Sequence, residues 1–230
     1  MGDLTLPGNP PIPVILRRSA RARRLSLRLS QLDGRVTLTL PQRLPQAQAL
    51  AFLHEKEGWL RSNLAQQAEI VPVGRGAMVP VEGNVRQIQC VPGRGIRLEP
   101  GAILVPGDPA RVAPRLLGHF KALARDRLAQ ASDAYATELG RPYTRLTLRD
   151  TRSRWGSCTS DGGLMYSWRL ILAPPEVLRY VAAHEVAHLA EMNHSPAFWA
   201  VVTQLYGNWK TPRLWLRNHG ADLHRYRFGN

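Results

Sequence analysis

The chain has 230 residues, of which 44% are hydrophobic, and its formal net charge is +14 at pH 7. The hydrophobic share is large enough to bury a core, so the composition excludes a wholly disordered protein. No apolar run reaches the roughly 18 residues that a membrane-spanning helix needs. The 2 cysteines exclude a disulfide framework, so we expect a reducing compartment and a cytoplasmic protein without a membrane partner.

Arginine supplies almost all of the positive charge. Lysine occurs only at Lys56, Lys121 and Lys210. This balance fits a surface for nucleic acid or another polyanion, and it equally fits an arginine-biased composition whose side chains are simply solvated. The charge alone leaves both interpretations open.

The first predicted elements are strands. Residues 1–13 are rich in proline and glycine and are expected to form a loose arm. In residues 24–41, apolar and polar residues alternate on both sides of the turn dipeptide Asp33-Gly34, which predicts a β-hairpin. The alternation places the arginines of its first strand on a polar face, within a cluster suited to non-specific phosphate contacts. The cluster comprises Arg17, Arg18, Arg21, Arg23, Arg24 and Arg28.

A helix is predicted over residues 45–68. Pro45 suits the first turn of a helix, and leucines then recur at helical spacing. Residues 71–110 are interrupted by glycine and proline, which predicts short strands joined by turns.

The composition of the chain changes near Pro109. Residues 111–139 predict a long helix that ends at Gly140. We therefore expect a β-rich N-terminal region over residues 1–110 and a second domain over residues 111–230.

The C-terminal part alternates between short strands and helices. Residues 144–150 and 164–173 predict two strands joined by a loop or a hairpin connection. A helix then runs into the motif HEVAH at residues 184–188, and Ser195-Pro196 opens a further helix. These elements together predict the α+β fold class, with a small sheet beside the helix that carries the motif.

The motif HEVAH has the chemistry of a metal-dependent hydrolase. His184 and His188 are four residues apart, so on a helix their side chains share one face and can bind one metal ion. Glu185 lies beside them as the general base that accepts a proton from a metal-activated water. The alternative is a pair of hydrogen-bonded core histidines that match the motif by accident.

A catalytic zinc site usually has a third protein ligand. Glu191 is on the same helical face as His184, but it is about 10.5 Å further along a straight helix. His194 reaches the metal only if the chain turns a corner, and Ser195 with Pro196 are good residues to start a new helix there. We therefore favour His194 over Glu191 as the third ligand.

Several motifs in the second half of the chain resemble one known family. They are RWGSC (154–158), SWRLILAPPEVLRYV (167–181), HEVAH (184–188), NHSPAFW (193–199) and RLWL (213–216). In this order they resemble the YgjP-like zinc metallopeptidases, which are distant relatives of the SprT-like and WLM domains. The N-terminal segment RRSARARRLSLRLS is also similar to the family, so the resemblance covers most of the chain.

The resemblance implies a zincin-like domain and a zinc-dependent hydrolase. It implies His184, His188 and His194 as zinc ligands and Glu185 as the general base. The histidine spacing equals that of the metzincins. However, Glu191 stands where metzincins carry glycine and no Met-turn is evident, so the chain is not assigned to that clan.

A second group must stabilise the oxyanion of the reaction besides the metal. The sequence offers Arg152, Arg154, Tyr166, Tyr206 and His219 as candidates. Arg154 is favoured because it belongs to the RWGSC motif.

The remaining candidates are expected to be structural. Trp155 is expected to pack rather than to bind substrate. Cys158 could serve as an inhibitory thiolate ligand, but three histidines already suffice for a zinc site. The isolated histidines His54, His119 and His224 are expected at the surface.

We therefore predict a zinc metallopeptidase that cleaves peptide or protein substrates. One alternative is a DNA-associated protease acting on nucleic-acid-bound proteins, by analogy with SprT-like and WLM domains. Another is a binding module in which the zinc is structural. Non-specific nucleic-acid binding through the basic surface is compatible with each of these.

Overall fold

The computed structural model describes residues 2–30, 34–65 and 69–229. The predicted α+β class is confirmed, because the described residues form six α-helices and several small sheets. The chain forms two compact units, Met1–Glu69 and Ile70–Asn230. Among the described helices, none combines the length and the apolar character needed to cross a membrane.

The first unit contains a four-stranded sheet. Its strands are β1 (Gly2–Leu6), β2 (Ile12–Ser19), β3 (Ser26–Leu29) and β4 (Val36–Pro41), in the order β1-β2-β4-β3. The predicted hairpin is confirmed, since β3 and β4 pair antiparallel with Leu29 opposite Val36. Asp33 of the predicted turn lies outside the described residues.

The prediction of a loose arm over residues 1–13 is wrong. β1 pairs antiparallel with β2, and Leu6 lies opposite Ile12. Ile12, Val14 and Leu16 are buried at every second position, so β2 contributes one face to the core. The prolines around these residues conceal the alternation in the sequence.

Two consecutive helices, α1 (Gln46–Glu55) and α2 (Glu57–Ala65), replace the single helix predicted over residues 45–68. They are separated at Lys56, and Pro45 precedes the first helix instead of lying in it. Leu53 and Leu60 are buried in the same core as the strands of the first unit. The last three residues of the predicted helix lie outside the described residues.

The second unit begins with the predicted short strands. They are β5 (Val71–Pro72), β6 (Met78–Val81), β7 (Asn84–Val91), β8 (Arg97–Glu99) and β9 (Ala102–Pro106). The last four form a sheet in the order β6-β7-β9-β8.

The long helix α3 (Val112–Leu139) confirms the helix predicted over residues 111–139. Gly140 ends it with a positive φ of 69°, a conformation that suits glycine at a helix C-terminus. Ile103 of β9 and Phe120 of α3 belong to one hydrophobic core. A division of the chain into domains after residue 110 stays a prediction.

A three-stranded sheet lies next in the chain. Its strands are β10 (Arg145–Arg149), β11 (Gly156–Cys158) and β12 (Gly163–Ser167), in the order β10-β12-β11. The predicted strand over residues 164–173 stops at Ser167, and Trp168–Leu172 form a 3₁₀-helix instead. All five residues of that helix are buried, and a short apolar run does not distinguish a buried strand from a buried helical turn.

The remaining elements carry the motif HEVAH or follow it in the chain. They are α4 (Pro175–Ala187), α5 (Pro196–Tyr206), α6 (Lys210–His219), a 3₁₀-helix (Gly220–His224) and β13 (Tyr226–Arg227), which pairs with β5. α4 packs against both α3 and α5. It is buried over most of its length, and this buried helix fixes the first two histidines of the motif.

Candidate metal centre

Three histidines converge at the end of α4. The ring centroids of His184 and His188 are 5.1 Å apart, and those of His184 and His194 are 5.0 Å apart. The Nε2 atoms of His184 and His194 are 3.0 Å apart. One nitrogen from each of the three rings lies within 4.8 Å of the others, so the group is able to hold a metal ion.

A corner in the chain brings the third histidine to the other two. α4 ends at Ala187, so the corner begins earlier than the sequence indicated. After an irregular turn, Ser195 caps α5 by accepting a hydrogen bond from the Phe198 backbone N–H at 3.4 Å. Pro196 occupies the first turn of α5, as predicted.

Glu191 lies in this corner, and its carboxylate is not part of the three-histidine group. Its backbone carbonyl oxygen is 2.9 Å from Nδ1 of His188. A proton on that Nδ1 would be donated to the carbonyl, which leaves the lone pair of Nε2 available for a metal ion. Glu191 thus contacts the site through its backbone.

The electrostatics of His184 also fit a metal site. The pKa of His184 is lowered to about 3, mainly by burial and additionally by the charges of His188 and His194. Its Nδ1 is buried without a hydrogen-bond partner among the described residues. Neutral imidazoles are the form that binds metal, and a set of three imidazole nitrogens fits zinc.

Aromatic side chains of α5 support the three histidines. Phe198 stacks on His188 with ring centroids 4.4 Å apart, and Trp199 stacks on His194 at 5.8 Å. Trp209 stacks on Trp199 at 4.2 Å. Phe198 and Trp199 thus pack against the rings of His188 and His194.

Arg213 was missed in the sequence analysis. Its guanidinium carbon lies 5.0 Å from the centroid of Trp199 and 5.5 Å from that of Trp209. The charge of Arg213 also contributes to the lowered pKa of His184. The family-like segment RLWL (213–216) contains this residue, but nothing in the sequence indicates its proximity to the histidines.

Glu185 is 5% exposed and lies against β11. A Cβ atom on Gly156 would be 2.5 Å from Oε1 of Glu185, so only glycine leaves room for this carboxylate. Burial raises the pKa of Glu185 to about 8, and the charge of Arg154 opposes that rise. No pattern in the sequence indicates this close approach between β11 and α4.

A cavity of about 480 Å³ connects the histidines with β11. Its walls include the three histidines, Glu185, Ser153, Arg154, Gly156, Ser157, Cys158 and Met192. The Met192 side chain is 54% exposed and gives this cleft an apolar margin. β11 is an edge strand within the described sheet, because it pairs with β12 on one side only.

Arg154 lines the cleft, while the other oxyanion candidates are elsewhere or already engaged. Tyr166 is fully buried, and its hydroxyl oxygen is 3.0 Å from that of Ser132. The Tyr206 hydroxyl donates to a backbone carbonyl at 2.8 Å. Arg152 lines a different cavity, and His219 lies 3.9 Å from a carboxylate oxygen of the next 3₁₀-helix.

Cys158 lines the cleft, but its sulfur is not part of the three-histidine group. Burial, assisted by the negative charge of Glu185, raises the pKa of the thiol to about 11. The thiol donates to the backbone carbonyl of Thr159 at 3.4 Å. These contacts favour a protonated side chain over a thiolate metal ligand.

The expectation of three surface histidines is correct only for His54, which is exposed. His119 is partly buried. His224 is 5% exposed, and its ring centroid is 5.3 Å from that of Trp155. His224 is buried because the C-terminal 3₁₀-helix folds against the RWGSC segment, a long-range contact without a sequence pattern.

A buried arginine joins the loop before β11 to the C-terminal segment. Arg169 makes an ion pair with Asp150 at 2.6 Å and donates to the backbone carbonyls of Leu223 and Tyr226 at 3.0 and 3.1 Å. Its side chain is 7% exposed. These bonds tie the loop that precedes β11 to the C-terminal segment and so help to fix one wall of the cleft.

Most of the chain is similar to one known family. A family model described as the YgjP-like metallopeptidase domain matches residues 23–219. No curated protein matches the chain. The chain is also similar to the crystal structure of the metallopeptidase zymogen of Pyrococcus abyssi abylysin, with 20% identity, a TM-score of 0.34, and coverage of 41% of this chain and 93% of that chain. That likeness is too slight to support an argument.

Proposed function

Because the chain belongs to the YgjP-like metallopeptidase family, we propose that it hydrolyses peptide bonds at a zinc ion held by His184, His188 and His194. The observation that carries the proposal is the convergence of three imidazoles beside a buried carboxylate. The peptidase activity is a property of the family. The metal, its ligands and the general base are proposed from the geometry of this chain.

Three imidazole ligands would leave one position open at a tetrahedral zinc, as in catalytic sites. A zinc ion bound there would act as a Lewis acid and lower the pKa of a coordinated water to about 7. The hydrogen bond from His188 Nδ1 to the Glu191 carbonyl would hold that ring in its ligand orientation.

Glu185 is the proposed general base. It follows His184 directly on α4, and its carboxylate lies in the same cleft as the three histidines. A carboxylate oxygen of Glu185 would accept a proton from the attacking water and later deliver it to the nitrogen of the leaving amine. Gly156 leaves the space in which the carboxylate is held.

The substrate is proposed to be an extended peptide or protein segment. β11 borders the cleft as an edge strand, and an edge strand can pair with an added peptide strand. Arg154 lines the same cleft, and we assign it to stabilising the oxyanion through its guanidinium N–H groups.

The substitution Glu185→Gln tests the function. It is expected to lower peptide hydrolysis at least about a thousandfold, because the amide cannot accept the proton, while the zinc content remains one ion per chain. Glu191→Gln is the matched control, since it removes the same charge from a carboxylate outside the histidine group. A peptide library with fluorescence readout and elemental analysis measure the two properties. Full activity of Glu185→Gln would overturn the mechanism.

The alternative of a structural zinc module predicts a different coordination sphere. A structural site is closed by four protein ligands, whereas the proposed site has three imidazoles and one exchangeable water. X-ray absorption of the zinc-loaded protein distinguishes these two cases. A DNA-associated protease and a cytoplasmic location stay predictions.

A further inference from the structure

One segment of the first unit concentrates positive charge and contains a single acidic residue. Between residues 4 and 54 the sequence contains one acidic residue, Asp33. The same stretch contains eight arginines, which are Arg17, Arg18, Arg21, Arg23, Arg24, Arg28, Arg35 and Arg43. Net positive charge is therefore a property of this segment and not only of the whole chain.

The sheet topology gathers these arginines. β4 lies between β2 and β3, so residues 20–25 must cross the carboxyl end of β4 to connect the two outer strands. Arg17 lies opposite Thr39 and Arg28 lies opposite Thr37 on that central strand. Both arginines point away from the core, because the alternate residue Leu38 is fully buried.

Five of these arginines form what we call the arginine surface, namely Arg17, Arg21, Arg23, Arg24 and Arg28. All five are exposed. None of their guanidinium groups has an ion pair or hydrogen bond within the part of the chain that the structure describes. Arg18 differs, because it donates to the backbone carbonyls of Gln42 and Leu44 at 2.8 and 2.9 Å. The arginine surface is thus available to an external anion.

We propose that the arginine surface binds the phosphate backbone of nucleic acid. Guanidinium groups match phosphate oxygens with paired hydrogen bonds, and the hydroxyls of Thr37 and Thr39 on the same sheet face can add donors. No aromatic residue lies between these arginines in the sequence, so bases are not read by stacking. Phosphate contacts carry no sequence information, so binding through them is independent of nucleotide sequence.

The surface chemistry disfavours a membrane as the partner. Membrane-binding surfaces combine basic residues with apolar side chains that enter the lipid. Among the described residues of the first unit, Trp59 is the large hydrophobic side chain that is strongly exposed, and it lies on α2. The arginine surface itself offers no comparable apolar group.

Binding of a fluorescent 30-base-pair duplex by the 230-residue Glu185→Gln chain tests the proposal, because proteolysis then plays no part. The triple variant with Arg21, Arg23 and Arg24 changed to glutamine is expected to bind at least tenfold more weakly at 0.1 M salt. If each of the three contacts one phosphate, the slope of log affinity against log salt should fall by about 2 to 3. The corresponding lysine triple is expected to keep most of that slope.

The matched control changes Arg75, Arg94 and Arg217 to glutamine, which removes the same charge from exposed positions of the second unit. It is expected to stay within about twofold of the parent protein. Equal losses in both triples would mean that net charge alone drives binding, and the proposal would be wrong. Absence of binding by the parent at 0.05 M salt would also overturn it.

Vesicles with about one third phosphatidylserine test whether the arginine surface binds an anionic membrane instead of nucleic acid. The parent protein is expected to bind these vesicles weakly and the duplex strongly. Tight vesicle binding that the Arg21, Arg23 and Arg24 variant loses, with duplex binding unchanged, would assign the surface to a membrane instead. Circular dichroism of every variant establishes that each one is folded.

Discussion

At the scale of single residues, the candidate site depends on the absence of a side chain at Gly156. Gly156 allows Glu185 to lie against β11, and a longer side chain would occupy the same space. The sequence motif predicted that His184 and His188 lie close together, because residue spacing on a helix fixes which side chains share a face. It did not predict Gly156 or Arg213 as neighbours, since both contacts connect segments far apart in the sequence.

The substitution Gly156→Ala is expected to displace the Glu185 carboxylate, because the added Cβ would be 2.5 Å from Oε1. We expect kcat/KM to fall at least about tenfold, equivalent to roughly 1.4 kcal/mol of transition-state stabilisation, with zinc binding retained. Gly118→Ala on α3 is the matched control, because no atom lies within 4 Å of its added Cβ. Unchanged kinetics in Gly156→Ala would show that the close approach has no role in catalysis.

His224 is expected to make stability depend on pH. Its pKa is lowered to about 4, mainly by burial and additionally by the charge of the neighbouring Arg169. An unfolded histidine takes up a proton near pH 6.5, whereas the folded residue remains neutral until about pH 4. The protein should therefore lose stability as the pH falls from 6.5 to 4. At 1.36 kcal/mol per pKa unit, this loss is at most about 3 kcal/mol.

Urea denaturation at several pH values measures this contribution. His224→Gln should flatten the decline in the free energy of unfolding, because glutamine does not titrate. Arg152, Arg227 and Asp150 also face the ring, so the variant is compared with wild type at each pH and constant zinc. The exposed His54→Gln variant is expected to keep the wild-type decline. Parallel curves for wild type and His224→Gln would contradict the prediction.

At the scale of secondary-structure elements, the corner between α4 and α5 decides whether a third histidine reaches the site. Ser195 and Pro196 predicted the start of α5 correctly, because they supply a cap and a preset φ. The end of α4 was harder to predict, since no glycine or proline follows Ala187 directly. Periodicity succeeded for α3 and the β3–β4 hairpin and failed at residues 168–172, where every side chain is buried.

The substitution Ser195→Ala is expected to loosen this corner. It removes the acceptor for the Phe198 N–H, and loss of an N-cap typically costs about 1 kcal/mol. If the lost cap destabilises the position of His194 by this amount, the zinc affinity should drop about fivefold. Competition with a chelator measures that affinity. Ser195→Asp restores a cap acceptor and should recover most of the affinity. Equal zinc affinity in wild type, Ser195→Ala and Ser195→Asp would show that the cap does not affect the metal site.

At the scale of the whole molecule, each compact unit has its own hydrophobic core. All three histidines lie in the second unit, whereas the family model spans residues of both units. Composition predicted a protein with a substantial core and a high positive charge. It did not predict which strands pair with one another, because non-local strand pairing has no signature in a single sequence.

Metal removal is expected to destabilise only the second unit. Ligand binding stabilises the state that binds by about 4 kcal/mol at a concentration of 1,000 Kd, and all candidate ligands lie in Ile70–Asn230. Chelation should therefore increase amide hydrogen exchange in α4 and α5 and leave the strands β1 to β4 unchanged. Hydrogen-exchange mass spectrometry resolves these segments. Equal deprotection of both units would contradict this assignment.

The short edge of β11 has a consequence for the proteins that this enzyme would cleave. Gly156–Cys158 offers backbone pairing to a partner only while that partner is extended and its own N–H and C=O groups are unpaired. A folded target must first open locally, so its cleavage rate equals the rate for the free peptide multiplied by the open population. A segment that opens at a cost of about 2.8 kcal/mol would be cut roughly a hundredfold more slowly. Selectivity would then reside in the conformational stability of the target as much as in its amino acids.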